Sequence, residues 1–181
     1  MRAQIRAMFQ SLTGRLKTVG RALQPLIRRH RRRLYRALRD EKSEVRQPVV
    51  FVLGKIGDTR ALRLLVHALR RDAVGSVRAA AATALGELGR PHAVNPLRHA
   101  LLTDADSQVR AAAVSALGHL GDPRALEPLV AAALHDTDGE TRDAACDALL
   151  PYILADPGAL LARPSHQQHA LEQCFNPSQV G

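Results

Sequence analysis

Residues 77–97 read VRAAAATALGELGRPHAVNPL, and residues 109–129 read VRAAAVSALGHLGDPRALEPL. Two near copies, one starting at Val77 and the other at Val109, point to a repeated structural unit, because a catalytic site needs to be written only once. The register extends to both sides. Asp40, Asp72, Asp104 and Asp136 superpose, as do Arg46, Arg78, Arg110 and Arg142, and Leu53, Leu85, Leu117 and Leu149. The period, about 32 residues, is that of a helical-repeat array. Within a unit the apolar positions recur at three and four, through Val77, Ala81, Leu85 and Leu88 and again through Val94, Leu97 and Leu101. That is the 3.6-residue period of two amphipathic helices, so each unit reads as a helical hairpin.

Glycine and proline supply the punctuation. Gly57, Gly89 and Gly121 fall just after the last apolar residue of the first helix, where a left-handed C-cap suits glycine best. Pro96 and Pro128 have no N–H to donate, which places the start of the second helix near Ala93 and Ala125 and leaves each proline in its first turn. Gly54, Gly86 and Gly118 sit inside the first helix. Glycine there costs about 1 kcal/mol against alanine, and the expected return is a close approach of neighbouring helices.

Composition sets the class. The chain has 181 residues and 46% hydrophobic content, enough for one domain with a sizeable core. With three Phe, two Tyr and no Trp, that core is built from Ala, Leu and Val, so the expected fold is all-α. Cys146 and Cys174 are too few for a disulfide framework and point to a reducing, intracellular setting. Cys146 aligns with the core positions Val50, Ala82 and Val114, which makes it a small buried hydrophobe. No apolar run approaches the roughly 20 residues of a membrane span. The expected location is cytoplasmic, peripheral to a membrane where the basic arm meets lipid.

The template D-x-x-x-x-V-R-x-x-A-x-x-A-L-G-x-L-G-D-P-R-A, running from Asp104 to Ala125, resembles the HEAT-like repeat of the phycobilisome-lyase class. The match is strong over Asp72 to Leu134 and weaker at both ends, where Pro48 enters a first helix and Leu150-Pro151 replaces the closing glycines. The resemblance implies a right-handed superhelical solenoid of stacked HEAT-like hairpins whose second helices line a concave face. It also brings in a class that includes chromophore-lyase subunits, phycobilisome-degradation factors and scaffolds. The resulting division is a basic N-terminal cap or arm (1–39), four repeats of equal period (40–150) and a C-terminal capping segment (151–181).

The search for chemistry yields little. Asp and Arg recur in every unit, and a feature present four times reads as a structural ladder, with Asp accepting N–H bonds at a helix N-terminus and pairing with an Arg of its own or the adjacent unit. Eight histidines are present, yet no His-Glu dipeptide, no His-x-x-x-His and no H-E-x-x-H occurs, and HEAT-repeat hydroxylases hold iron through His-Glu pairs. His67 and His99 stand one repeat apart, about 10 Å by helix-packing distances, too far for one ion. No catalytic residue, metal site, cofactor or small-molecule substrate is expected, and the chain reads as a non-enzyme.

Charge is where the sequence departs from a neutral scaffold. Met1 to Arg39 holds twelve Lys or Arg and no Asp or Glu, whereas the remainder holds fourteen basic against seventeen acidic residues. Arg28, Arg29, Arg31, Arg32, Arg33 and Arg36 form the densest cluster and need an outside counter-charge from acidic lipid, nucleic acid or an acidic protein. The expected function is a non-catalytic scaffold that holds a protein partner on its concave helix face through Arg63, His67, Arg70, Asn95, Arg98, His99, Glu127 and His135, with the arm serving an anionic partner. The alternatives are a phycobilin lyase-like or chaperone subunit, or an adaptor attached to membrane or nucleic acid by the arm.

Overall fold

The computed structural model describes residues 36–39, 41–56 and 59–155. Across them the helices are α1 (Ser43–Ile56), α2 (Thr59–Arg71), α3 (Gly75–Leu88), α4 (Val94–Thr103), α5 (Ser107–Leu120), α6 (Leu126–His135) and α7 (Gly139–Ala155), with single 3₁₀ turns at Pro91–Ala93 and Pro123–Ala125. No strand occurs among the described residues. The fold is an all-α solenoid in which α1, α3, α5 and α7 are the first helices of successive units and α2, α4 and α6 the second.

The punctuation acts locally. Gly89 (φ 64°) and Gly121 (φ 61°) take the left-handed conformation that ends α3 and α5. Each is followed by a proline-led 3₁₀ turn, so α4 and α6 begin at Val94 and Leu126, one residue later than the proline positions suggest. Pro96 and Pro128 still fall in the first turn, where no N–H is required. Gly57 lies outside the described residues.

The unit's core is a column of equivalent side chains. Leu53, Leu85, Leu117 and Leu149 are all buried, as are Leu65, Leu97 and Leu129 from the second helices. In the fourth unit Thr141 takes the place of Val77 and Val109 and is fully buried. Its hydroxyl donates to Asp138 Oδ2 at 2.8 Å, so the substitution leaves no unsatisfied polar group.

Successive first helices pack closely along their lengths, while successive second helices touch only sparsely. Glycine permits the close side. A Cβ on Gly54 would lie 2.7 Å from Ala84 Cβ, and one on Gly86 would lie 2.8 Å from both Cα and Cβ of Ala116. At Gly118 the same atom would meet Ala148 Cβ at 3.0 Å. The second helices pack mainly on the first helix of the following unit (α2 on α3, α4 on α5, α6 on α7), and less on the helix before them. The closest partner of each second helix therefore lies across the unit boundary drawn at the ladder aspartate.

At the C-terminal end α7 runs through Pro151 to Ala155, crossing the boundary expected at residue 150. The prolyl residue is exposed, and the next side chain anchors the extension, since the Tyr152 hydroxyl reaches the carbonyl oxygens of Leu117 and Asp122 at 3.2 Å each. Cys146 is buried in the core, as its alignment suggests, and is one half of a disulfide. Its partner lies outside the described residues.

Gly86→Ala should lower stability by about 1–3 kcal/mol, because overpacking against the Ala116 backbone outweighs the helix-propensity gain of about 1 kcal/mol. Gly118→Ala should cost less, since its added methyl meets a side-chain methyl. Urea midpoints followed by circular dichroism check the order, and equal midpoints for both variants and the parent would remove close approach as the role of these glycines.

Candidate interaction surface

The repeated Asp and Arg form rungs between units. Arg46 Nε and Nη2 donate to the two carboxylate oxygens of Asp72 at 2.8 and 2.7 Å. Arg78 does the same to Asp104, and Arg110 to Asp136, with all four distances 2.8 Å. The remaining nitrogen, Nη1, turns back to its own unit and donates to the backbone oxygen of Asp72 from Arg78, of Asp104 from Arg110 and of Asp136 from Arg142. One guanidinium thus spans two units, gripping a carbonyl behind it and a carboxylate ahead.

The aspartates do not sit at helix N-termini. Asp104 and Asp136 are C-cap residues of the second helices α4 and α6. Each ladder carboxylate accepts the N–H two residues on, from Val74, Asp106 and Asp138 in turn, closing a small Asx turn before the next helix. The N-cap position falls to Val74, which has no capping side chain, and to Asp106, which accepts from Gln108 N–H. Asp138 accepts from Thr141 N–H. Asp40 lies outside the described residues.

Burial is the largest influence on Asp72 and Asp104 and pushes their carboxyls up. Their arginine and backbone hydrogen bonds and the two flanking arginine charges together outweigh it, and the net shift is downward from the ordinary 3.8. For Asp136 the Arg110 hydrogen bond is the largest influence, and the carboxyl is again lowered. Exposed chemistry follows the same pattern at the turn before α6, where Arg124 Nε and Nη2 hold the Asp122 carboxylate and bring it to about 2.

The second helices carry exposed polar side chains that take no part in the ladder. Arg63, His67 and Arg70 are exposed on α2, Asn95 and His99 on α4, and Glu127 and His135 on α6. Arg98 is half-buried, and its Nε is shielded without a hydrogen-bond partner. His99 is fixed by Thr103, whose hydroxyl lies 3.0 Å from Nδ1 and donates to the His99 carbonyl oxygen at 2.8 Å.

Wide spacing of the second helices leaves grooves between them. One of about 690 Å³ lies between α2 and α4, lined by Arg70, Arg71, His99 and Thr103 over a floor of Leu69, Pro96 and Ala100. The next, about 340 Å³, lies between α4 and α6 and takes in Leu102, Ala131 and His135. Arg71 and Leu102 escape a reading confined to charge at matched positions, although both are exposed and both follow from the helical period of the second helices. Of the arm cluster only Arg36 is described, and it is exposed, while Arg28, Arg29, Arg31, Arg32 and Arg33 lie outside the described residues. Among the described residues no three His, Cys, Asp or Glu side chains gather as metal ligands, and no helix is long and apolar enough to cross a membrane.

Rungs, glycine contacts and grooves define the class as an α-solenoid of stacked helix pairs. The family model of HEAT repeats matches residues 16–84 and 65–150, and the chain belongs to the HEAT-repeat family. The first match begins inside the basic segment. Among solved structures the chain is similar to human deoxyhypusine hydroxylase in complex with glycerol, with a TM-score of 0.59 and 19% identity over 90% of this chain. It spans 64% of the length of that chain, and the likeness is one of fold. No curated protein matches its sequence.

Arg110→Ala should destabilise the fold by about 2–4 kcal/mol, because it strands the shielded Asp136 carboxylate. Arg142→Ala should cost under about 1 kcal/mol, since Arg142 grips a carbonyl behind it but no carboxylate ahead among the described residues. Comparable losses for the two would sink the ladder as the source of the difference. The lowered aspartate values fix the sign of the pH response. A depressed folded value gives stability that is present above the unfolded value and lost as pH falls through the folded one. Urea midpoints should therefore hold from neutral pH to about 5 and drop below about 4, and the drop should be smaller in Asp136→Asn.

Proposed function

We propose that the chain is a non-catalytic HEAT-repeat scaffold that holds a protein partner along the row of its second helices. The observation that carries this reading is the division of labour between the residues. At the three described junctions the recurring charges are spent on the Arg–Asp rungs, whereas the outward second-helix positions differ from unit to unit: Arg63, Asn95 and Glu127 at one level, His67, His99 and Ala131 at another. A surface that keeps its spacing while changing its chemistry suits recognition of an extended partner by many shallow contacts. The basic segment 1–39, with its twelve cations, adds a second attachment to an anionic partner.

The finer membership, in the phycobilisome-lyase class of HEAT-like repeat, is supported by the Asp104 to Ala125 template. It favours a subunit that escorts another protein over a free-standing enzyme, and fold analogy is its warrant.

Tagged parent chain and three variants, each checked by circular dichroism, test the reading in pull-downs from the source cells. One carries Arg63→Ala, His67→Ala, Asn95→Ala, His99→Ala, Glu127→Ala and His135→Ala; one carries Thr83→Ala, Glu87→Ala, Ser115→Ala and His119→Ala on the first helices; one replaces the six arm arginines by Gln. The second-helix variant should lose at least about 90% of the main co-purifying protein, a tenfold weakening or about 1.4 kcal/mol, and the first-helix variant should keep it. The arm variant should lose only the salt-sensitive fraction. Retention by the second-helix variant with loss by the first-helix one would overturn the assignment.

A further inference from the structure

The groove between α2 and α4 differs from its repeat-related neighbour in charge. Arg70, Arg71 and His99 on its wall correspond to Leu102, Thr103 and Ala131 one unit on. Its two acids, Asp72 and Asp104, are already held by Arg46 and Arg78, so they do not neutralise the wall. Neither Arg70 nor Arg71 has a carboxylate partner among the described residues. Leu102 is 56% exposed on the outer side of α4 and belongs to the second groove. A cationic slot is therefore followed, one helix over, by one with an exposed leucine on its wall.

Resting on the scaffold reading, we infer that these two grooves bind an acidic peptide segment of the partner protein, with paired carboxylates against Arg70 and Arg71 and an apolar side chain against Leu102. Charge complementarity selects carboxylates, and each Arg fork donates to both oxygens of one carboxylate. No exposed aromatic residue lines either groove to stack a base. The two slots lie one helix apart, at least the roughly 8–10 Å of packed helices, and an extended chain advances about 3.3 Å per residue. The apolar residue consequently falls about three positions after the acidic pair. Two acids, two spacers and a leucine-like residue make about the shortest segment that reaches both.

A fluorescein-labelled peptide containing Glu-Glu-Ser-Gly-Leu is the probe, with Gln-Gln-Ser-Gly-Leu and Glu-Glu-Ser-Gly-Ser as controls, and anisotropy is read against the full chain in about 150 mM salt. The parent should bind the probe at least about tenfold tighter than the Gln control. Arg70→Gln with Arg71→Gln should erase that preference. Leu102→Ser should erase the preference for Leu over Ser, and the variant lacking the six arm arginines should bind within about twofold of the parent. Equal binding of probe and Gln control by the parent overturns the inference. So does a loss confined to the arm variant, or self-association of the chain that the Arg70/Arg71 variant abolishes, which would make a second copy the occupant. Failure of the peptide with a partner still retained through the second helices rejects the pattern alone, whereas a partner indifferent to the second-helix substitutions rejects the scaffold reading.

Discussion

The two-way grip of the arginine guanidinium is the contact on which the architecture depends. A second helix leaves its last carbonyls without helical partners, and the chain must turn sharply there to begin the next unit. Arg78 meets both demands in one side chain, because Nη1 takes the Asp72 carbonyl while Nε and Nη2 take Asp104. The turn is held by the same group that sets the distance to the next turn. Side-chain exposures of 12% and 6% for Arg110 and Asp136 place the pair where water competes poorly, yet every strong donor and acceptor is used. That is the condition under which a shielded ion pair stabilises.

Glycine governs the opposite requirement. Rungs set spacing on the inter-unit turns, while Gly54, Gly86 and Gly118 let the first helices approach almost to backbone contact. Drawing one row of helices together while the other stays apart opens the grooves on the far side. The surface read as functional is thus a by-product of small residues elsewhere. This links a packing detail on α3 and α5 to the width of a slot beside α4.

Much of this is legible in the sequence. The repeat period, the left-handed Gly89 and Gly121 and the placement of Pro96 in a first turn all follow from local stereochemistry, which needs no knowledge of neighbours. Periodicity fixes the length of a unit but not its phase, and for that reason the tight pairing of α2 with α3 across the unit boundary is not visible in it. The post held by Asp104 is hidden for a related reason. An aspartate shortly before a helix invites an N-cap reading, but the turn runs on to Asp106, which takes that post. Proline at 151 suggests a stop, yet a single tyrosine bonded to two carbonyls of the preceding unit carries the helix on. Of the surface, the exposed second-helix residues can be named from helical phase, but the grooves cannot, because they arise from spacing between helices.

The forward half of every described rung is the same, two nitrogens of one guanidinium on the two oxygens of one aspartate. Arg46 holds Asp72 in the geometry by which Arg110 holds Asp136. Length is therefore a free variable of this architecture. A gene that gains or loses one whole repeat presents the same rung donor to the same rung acceptor at the new junction. What each added block contributes anew is only its outward chemistry.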